Sequence, residues 1–144
     1  MAADYPTMST AEIRSAYLNF FEERGNKLYA SSSLVPDDPS LLLANAGMNQ
    51  FKEYYQGKKV MKEIGACSCQ KCVRTNDIDI IGSDGRHASF FEMLGNFAFG
   101  GVTKEQACTW AYELITEVFK LPKERLHFTV FTDDDETHDV WRAL

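Results

Sequence analysis

Near the start of the chain, apolar residues repeat with the period of an α-helix. Ser9 and Glu12 form the S-x-x-E pattern of a capping box, in which side chains satisfy backbone amides at a helix start. Gly25 suits the left-handed conformation that ends many helices. One apolar stripe follows at helical spacing: Ile13, Ala16, Tyr17, Phe20 and Phe21. We therefore predict a helix that begins near Ser9 and ends before Gly25.

Two further helices are predicted in the second half of the chain. Thr103 and Gln106 repeat the capping pattern, and an apolar stripe follows them and ends before Pro122. The stripe consists of Ala107, Trp110, Ala111, Leu114, Ile115 and Val118. The acidic run at residues 133–136 favours another helix start, because negative side chains oppose the positive end of the helix dipole.

Shorter apolar segments predict strands. Residues 66–74 and 89–94 are expected to form a hairpin-like pair on either side of a polar, glycine-containing loop at residues 75–85. Residues 50–55 are expected to form one or two helical turns. Three short segments are also predicted as strands: residues 28–30, residues 41–44, and residues 126–131, where side chains alternate with a period of two.

Length and composition limit the class of protein. The chain has 144 residues, of which 44% are hydrophobic, so it can bury a core as one domain. The net charge of −6 argues against a protein that coats nucleic acid, so any contact with nucleic acid must be local. No apolar run approaches the roughly 20 residues that cross a bilayer, and the first residues do not resemble a signal peptide. We expect no membrane partner and a cytoplasmic location.

The residues best suited to chemistry flank the predicted loop. Arg74 leaves one extended segment, and Arg86 and His87 enter the next, just before Phe90 and Phe91. Arginine binds phosphate through a fork of N–H donors, so this arrangement suits a polyphosphate with an aromatic ring stacked on its base. The alternative is purely structural: the phenylalanines belong to the core, His87 is a satisfied histidine, and both arginines lie at the surface.

Familiar nucleotide signatures are missing. Residues 95–100 carry the two glycines of a P-loop, but Gly101 and Val102 stand where that motif has Lys and Ser or Thr. The sequence also has no G-x-G-x-x-G, H-E-x-x-H or G-x-S-x-G motif. A nucleotide site in this chain must therefore be built without a P-loop.

The cysteines raise the hypothesis of a zinc-dependent interaction domain. Cys67, Cys69 and Cys72 are closely spaced, whereas Cys108 is distant, and reduced thiols are expected in a chain without secretory signals. A structural zinc needs about four tetrahedral ligands. On a strand, Cys67 and Cys69 share one face while Cys72 lies on the other. Packed or exposed thiols are the preferred interpretation, and we predict no metal-binding residue.

Six segments resemble the N-terminal part of the alanyl-tRNA synthetase family, in the same order and with similar spacing. They are AEIR at 11–14, SSSLVP at 31–36, NAGMNQFK at 45–52, CVR at 72–74, FFEMLGNF at 90–97 and LPKERL at 121–126. The resemblance implies an α+β fold, in which an antiparallel sheet is flanked by helices as in the class II synthetase core. It assigns residues 1–144 to the N-terminal portion of the catalytic domain, with the motif 1 region and motif 2.

The family activates alanine with ATP and Mg²⁺ and then transfers the alanyl group to tRNA(Ala). The resemblance implies these ATP-binding residues: Arg74, Arg86, His87, Phe90, Phe91 and Met93. Arg74 corresponds to the motif 2 arginine, which holds the α-phosphate, and is the expected catalytic residue. The basic pair would meet the β- or γ-phosphate, one of the two adjacent phenylalanines would stack on adenine, and Met93 would lie beside the adenosine pocket.

Other parts of the family's machinery have no counterpart in this sequence. We find no motif 3 and no residues expected to hold the alanine ammonium group, and the family's zinc belongs to a region not present here. We therefore expect the core to be incomplete, the 144 residues to be part of a longer alanine–tRNA ligase, and the chain to be inactive alone. An unfinished sheet exposes a strand edge through which copies can associate. The alternative function is a free-standing, non-catalytic module that binds a nucleotide or a partner.

Overall fold

The computed structural model describes residues 7–76 and 78–144. The chain divides into two compact units: the described residues up to Phe20 together with Gly101–Leu144, and the segment Phe21–Gly100. The helices and strands, in chain order, are α1 (Thr10–Glu22), β1 (Asn26–Tyr29), α2 (Lys52–Tyr55), β2 (Gly65–Val73), β3 (Phe90–Ala98), α3 (Lys104–Glu113) and α4 (Asp135–Ala143). None of the helices in the described ranges is long and apolar enough to span a membrane.

The first predicted helix is confirmed, including its ends. The Ser9 amide donates to the Glu12 carboxylate at 2.7 Å, and the Glu12 amide donates to Ser9 Oγ at 3.3 Å. The hydrogen bond from the Ser9 side chain lowers the pKa of Glu12. Gly25 follows the helix with φ +84°, a conformation that side-chain-bearing residues rarely adopt. Local capping chemistry therefore sets both limits of α1.

Residues 21–100 contain a three-stranded sheet in the order β1-β2-β3. β2 and β3 pair in antiparallel fashion, from Gly65 opposite Ala98 to Val73 opposite Phe90. This pair confirms the predicted hairpin-like arrangement. β1 lies parallel to β2, with Asn26 opposite Gly65, because the connection between them is a long crossover that includes α2. The α+β class is as predicted, and the sheet is mixed rather than wholly antiparallel.

Gly65 allows the three strands to meet closely. A Cβ atom at this position would lie 2.3 Å from the Phe97 carbonyl oxygen and 2.5 Å from Asn26 Oδ1. The Asn26 side chain is itself fixed, because its amide donates to the Phe21 carbonyl at 3.0 Å. A side chain at position 65 would therefore push the backbone of β3 or the buried asparagine aside.

Phe51 forms the centre of the core of the unit Phe21–Gly100. It lies at the end of a 3₁₀ helix, Gly47–Phe51, that leads into α2, and only 1% of its surface is exposed. Its ring lies 5.1 Å from Tyr29, 4.7 Å from Phe97 and 5.8 Å from Phe99, measured between centroids. Offset and edge-on aromatic pairs at these distances are favourable. The packing holds residues 47–51 against one face of the sheet.

The strand predicted at residues 41–44 is wrong. The segment follows a turn over residues 38–41, in which the Leu41 amide donates to the Asp38 carbonyl at 3.0 Å, and Leu42 is 88% exposed. Ala44 makes only two isolated backbone hydrogen bonds among the described residues: its amide donates to the Leu34 carbonyl, and its carbonyl accepts from the Val73 amide. A strand requires a continuous ladder with a neighbour, and the apolar sequence alone does not supply one.

The two helices predicted in the second half of the chain are confirmed, but the strand predicted at residues 126–131 is wrong. Thr103 and Gln106 make the expected capping box on α3, and the Asp134 side chain caps α4 by accepting from the Thr137 amide. A 3₁₀ helix, Lys123–Arg125, precedes an extended segment that joins no sheet in the described chain. The ring of Phe128 instead lies 4.5 Å from that of Trp141 in α4. Phe128 therefore packs against a helix rather than against a neighbouring strand.

Candidate functional site

Arg74 follows the last residue of β2 and is fixed by two hydrogen bonds. Its amide donates to the Ser89 carbonyl at 2.8 Å, which joins the two ends of the loop between β2 and β3. Its Nε donates to the Asn45 carbonyl at 3.0 Å. The Nε bond sets the plane of the guanidinium and leaves the N–H donors of its two terminal nitrogens to bind a ligand.

A cleft of about 450 Å³ lies beside Arg74. Its walls include Leu43, Asn45, Val73, Arg74, Thr75 and Asn76. This volume lies within the range of roughly 300–1,000 Å³ found for small-molecule sites. The cleft therefore combines enough space for a nucleotide-sized ligand with a cation at its wall.

Strand register separates the two phenylalanines that were candidates for stacking. Phe91 lies opposite Cys72 and Phe90 opposite Val73, so their side chains lie on opposite faces of the sheet. The Arg74 guanidinium lies over the Phe91 ring, 5.2 Å from its centroid. Phe90 is 54% exposed. The structure thus brings Arg74 together with Phe91 and places Phe90 elsewhere.

Met93 lies on the same face of the sheet as Phe91. It lies opposite Gln70, and its Sδ accepts a hydrogen bond from the Gly47 amide at 3.2 Å. A Cβ atom at Gly47 would lie 3.1 Å from the Phe97 ring, so the backbone approaches the sheet closely here. Arg74, Phe91 and Met93 therefore follow one another along one face, beside the start of the 3₁₀ helix.

A buried glutamine supports this region from within the sheet. Gln70 is 1% exposed, and its Oε1 accepts from the Ser32 amide at 2.9 Å, from Ser32 Oγ at 3.1 Å and from Gln50 Nε2 at 3.1 Å. Its Nε2 donates to the Ser32 carbonyl at 3.2 Å. These bonds tie the segment after β1 and the 3₁₀ helix to β2.

Arg86 and His87 lie in the loop before β3. Asp84 Oδ1 accepts from both of their backbone amides, at 2.9 Å and 3.1 Å, and Asp84 Oδ2 lies 2.5 Å from His87 Nδ1. The backbone bonds, that from Arg86 foremost, lower the pKa of Asp84 to about 2. Neither basic residue lines the cleft beside Arg74. The structure therefore groups this pair around Asp84 rather than around Arg74.

Strand register distributes the closely spaced cysteines over both faces of the sheet. Cys67 and Cys69 lie on one face of β2 and Cys72 lies on the other, so the three thiols do not share a face. Burial raises the pKa of Cys67 to about 11 and also raises that of Cys72. In the described ranges, no three His, Cys, Asp or Glu side chains are grouped closely enough to hold a metal ion.

A family model described as class II tRNA synthetases (A) matches residues 12–144. The chain belongs to this class II tRNA synthetase family. The matched region includes all three strands and reaches the end of α4.

Similar proteins within the class II synthetases carry the name alanine–tRNA ligase. The relative from Synechocystis is 51% identical over 99% of this chain, which corresponds to 16% of that protein. The relative from Caldicellulosiruptor saccharolyticus is 52% identical over 93% of this chain, or 15% of that protein. The relative from Aromatoleum aromaticum is 52% identical over 93%, or 16% of that protein. The chain thus spans about one sixth of the length of the curated relatives that it matches.

Three supporting residues of this class II synthetase chain were missed from the sequence. Asn45 acts through its backbone carbonyl, for which sequence carries no signal. Gln70 is a buried amide that requires hydrogen-bond partners, but Ser68 and Lys71 in the same strand are also polar, so the sequence did not single it out. Asp84 precedes Gly85, a pairing typical of turns, and that signal indicated the loop but not the bond to His87.

Proposed function

We propose that this chain is the ATP-binding, N-terminal portion of the catalytic domain of an enzyme that attaches alanine to tRNA(Ala). The observation that carries the proposal is the Arg74 guanidinium, which is bound to Asn45, lies over Phe91 and faces a cleft of about 450 Å³. The similarity to alanine–tRNA ligases across nearly the whole chain supports alanine as the amino acid. The relatives are several times longer, so activity is expected of the complete gene product.

Each site residue has a distinct role in this proposal. Arg74 binds the α-phosphate of ATP, and Phe91 stacks on the adenine. Phe90 is not assigned to adenine, because it occupies the opposite face of the sheet. Met93 lies beside the adenosine, and the loop pair of Arg86 and His87 binds the β- and γ-phosphates.

The proposed chemistry is an in-line displacement at phosphorus. A carboxylate oxygen of alanine forms a bond to the α-phosphorus while the bond to the departing pyrophosphate breaks, which gives alanyl-adenylate. Arg74 stabilises negative charge on the α-phosphate oxygens, and its fixed Nε limits the reorganisation needed as charge develops. The step requires no nucleophile from the protein, because positioning of the two substrates supplies the rate enhancement.

The remaining substrates follow from the same proposal. Mg²⁺ enters with ATP, bound to its phosphates, which is its usual mode in nucleotide-dependent enzymes. The terminal ribose of tRNA(Ala) then accepts the alanyl group, so the complete protein binds RNA. A role in protein synthesis places it in the cytoplasm.

The test is ATP–pyrophosphate exchange by the protein expressed from its complete gene. We expect exchange that depends on alanine, with glycine and serine as matched controls, because these differ from alanine by one methyl and one hydroxyl group. Exchange supported by another amino acid but not by alanine would overturn the assigned substrate. Saturable ATP binding without exchange for any amino acid would favour a non-catalytic nucleotide-binding module.

A further inference from the structure

Asp84 connects both basic residues of the loop between β2 and β3. One carboxylate oxygen accepts from the backbone amides of Arg86 and His87, and the other lies 2.5 Å from His87 Nδ1. Gly85, between the carboxylate and the first of these amides, has φ +66°, which permits the tight turn. A single side chain therefore sets the backbone of the basic pair and the orientation of one of its rings.

A carboxylate beside a phosphate site is electrostatically unfavourable, because both groups are negatively charged. Like charges repel, so removing a negative group beside bound polyphosphate strengthens binding if only net charge matters. The pKa of Asp84 is lowered to about 2, chiefly by the Arg86 amide, so the group is ionised at neutral pH. Any benefit of Asp84 to phosphate binding must therefore come from geometry.

We propose that Asp84 is a positioning residue for the polyphosphate of ATP: it holds His87 by Nδ1 and fixes the turn so that Nε2 of His87 and the side chain of Arg86 bind the β- and γ-phosphates. This inference rests on the function proposed above. With Nδ1 donating to Asp84, Nε2 donates to a phosphate oxygen when the imidazole carries a proton on both nitrogens, and the His87 side chain is 44% exposed. Asp84 contacts the residues that bind phosphate and acts through them.

The two explanations predict opposite signs for the same variant. If Asp84 positions the pair, Asp84→Ala weakens ATP binding about tenfold or more, as expected for loss of charge-assisted hydrogen bonds. If only charge matters, the same variant binds ATP more tightly. Asp79→Asn is the matched control, because it removes a negative charge from the same exposed loop, and it should leave ATP binding nearly unchanged or slightly tighter.

The experiment is calorimetric titration of ATP with Mg²⁺, and separately of AMP, into the protein from its complete gene. AMP lacks the β- and γ-phosphates, so Asp84→Ala should leave AMP binding unchanged, whereas a general loss of structure would weaken both ligands. Unchanged or tighter ATP binding by Asp84→Ala would overturn the positioning role while the proposed function stands. Absence of ATP binding by the unaltered protein would overturn the proposed function, and the positioning role with it.

A second measurement needs no ligand. The ¹⁵N chemical shifts of the His87 imidazole report which ring nitrogen carries a hydrogen-bonded proton. We expect the Nδ1 signal of the unaltered protein to show the bond to Asp84 and to shift in Asp84→Ala. Identical His87 spectra for the two proteins would show that the contact is absent in solution and would overturn the proposal.

Discussion

The backbone carbonyl of Asn45 accepts a hydrogen bond from Arg74 Nε at 3.0 Å. This bond joins the segment that leads into the 3₁₀ helix to the end of β2. Arg74 also lies over the ring of Phe91, so its guanidinium is constrained at its edge and on one face. An arginine held in this way is oriented for a ligand before the ligand arrives, which lowers the entropic cost of binding.

Replacing Arg74 should slow alanine activation far more than it alters folding. In the protein from its complete gene, we expect Arg74→Ala to reduce alanine-dependent ATP–pyrophosphate exchange about 10²-fold or more, the scale for loss of a group that stabilises charge in the transition state. Arg74→Lys should restore little, because an ammonium group cannot donate to Asn45 and also present a planar fork to phosphate. Lys71→Ala is the control, since it removes an exposed cation from the same strand but on the other face. Normal exchange by Arg74→Ala would remove Arg74 from its assigned role.

The face assignment of the two phenylalanines gives a second prediction. Phe91→Ala should weaken ATP binding about tenfold, since stacking of a base on an aromatic ring is worth roughly 1–3 kcal/mol. Phe90→Ala removes the same ring from the opposite face and should leave the dissociation constant for ATP nearly unchanged. Calorimetric titration of the two variants decides the question. A larger loss for Phe90→Ala would show that adenine occupies the other face of the sheet.

Sequence patterns predicted those features that depend on neighbouring residues. The start of α1 follows from Ser9 and Glu12, and that of α3 from Thr103 and Gln106, because each capping box is closed within one helical turn. The two wrong strands show the limit of this approach. Residues 41–44 and 126–131 have strand-like sequences, but a strand exists only where a neighbour offers a ladder of hydrogen bonds.

In the candidate site too, residue types could be predicted from the sequence, whereas contacts between distant residues could not. The basic and aromatic residues that flank the loop were identified from residue type, and the choice between Phe90 and Phe91 stayed open. Strand register places the two rings on opposite faces of the sheet, with Phe91 beside Arg74, because a shift of one residue exchanges the faces of every side chain. The supporting bonds of Gln70 could not be predicted, since its partner Ser32 is distant in sequence.

The buried amide of Gln70 should be important for stability. Gln70→Leu has similar size but removes every hydrogen bond of the side chain, which deprives partly buried groups of Ser32 and Gln50 of this partner. Each unsatisfied group costs roughly 1–3 kcal/mol, so we expect the free energy of unfolding to fall by about 3 kcal/mol. Urea denaturation followed by circular dichroism measures the change. Gln56→Leu, at an exposed position after α2, serves as control, and equal stability of the two variants would show that the network contributes little.

Asp134 should make part of the stability depend on pH. Lys104 donates to Asp134 Oδ1 at 2.8 Å, and this bond, followed by those from Thr137, lowers the pKa of Asp134 to about 2. A carboxyl group whose pKa is lower in the folded state stabilises the fold above its ordinary value of 3.8, and the contribution is lost as pH falls toward about 2.

Asp134→Asn isolates this contribution, because asparagine still caps the start of α4 but carries no charge for Lys104. The unaltered protein should have the higher thermal unfolding midpoint at neutral pH, and the difference should close as the pH is lowered from about 4 to about 2. Asp133→Asn removes a charge from the adjacent exposed residue and should show a smaller difference at neutral pH. If the gap between Asp134→Asn and the unaltered protein stays constant over that range, the ion pair with Lys104 does not stabilise the fold. A constant gap would instead reflect a difference in how well the two side chains cap α4.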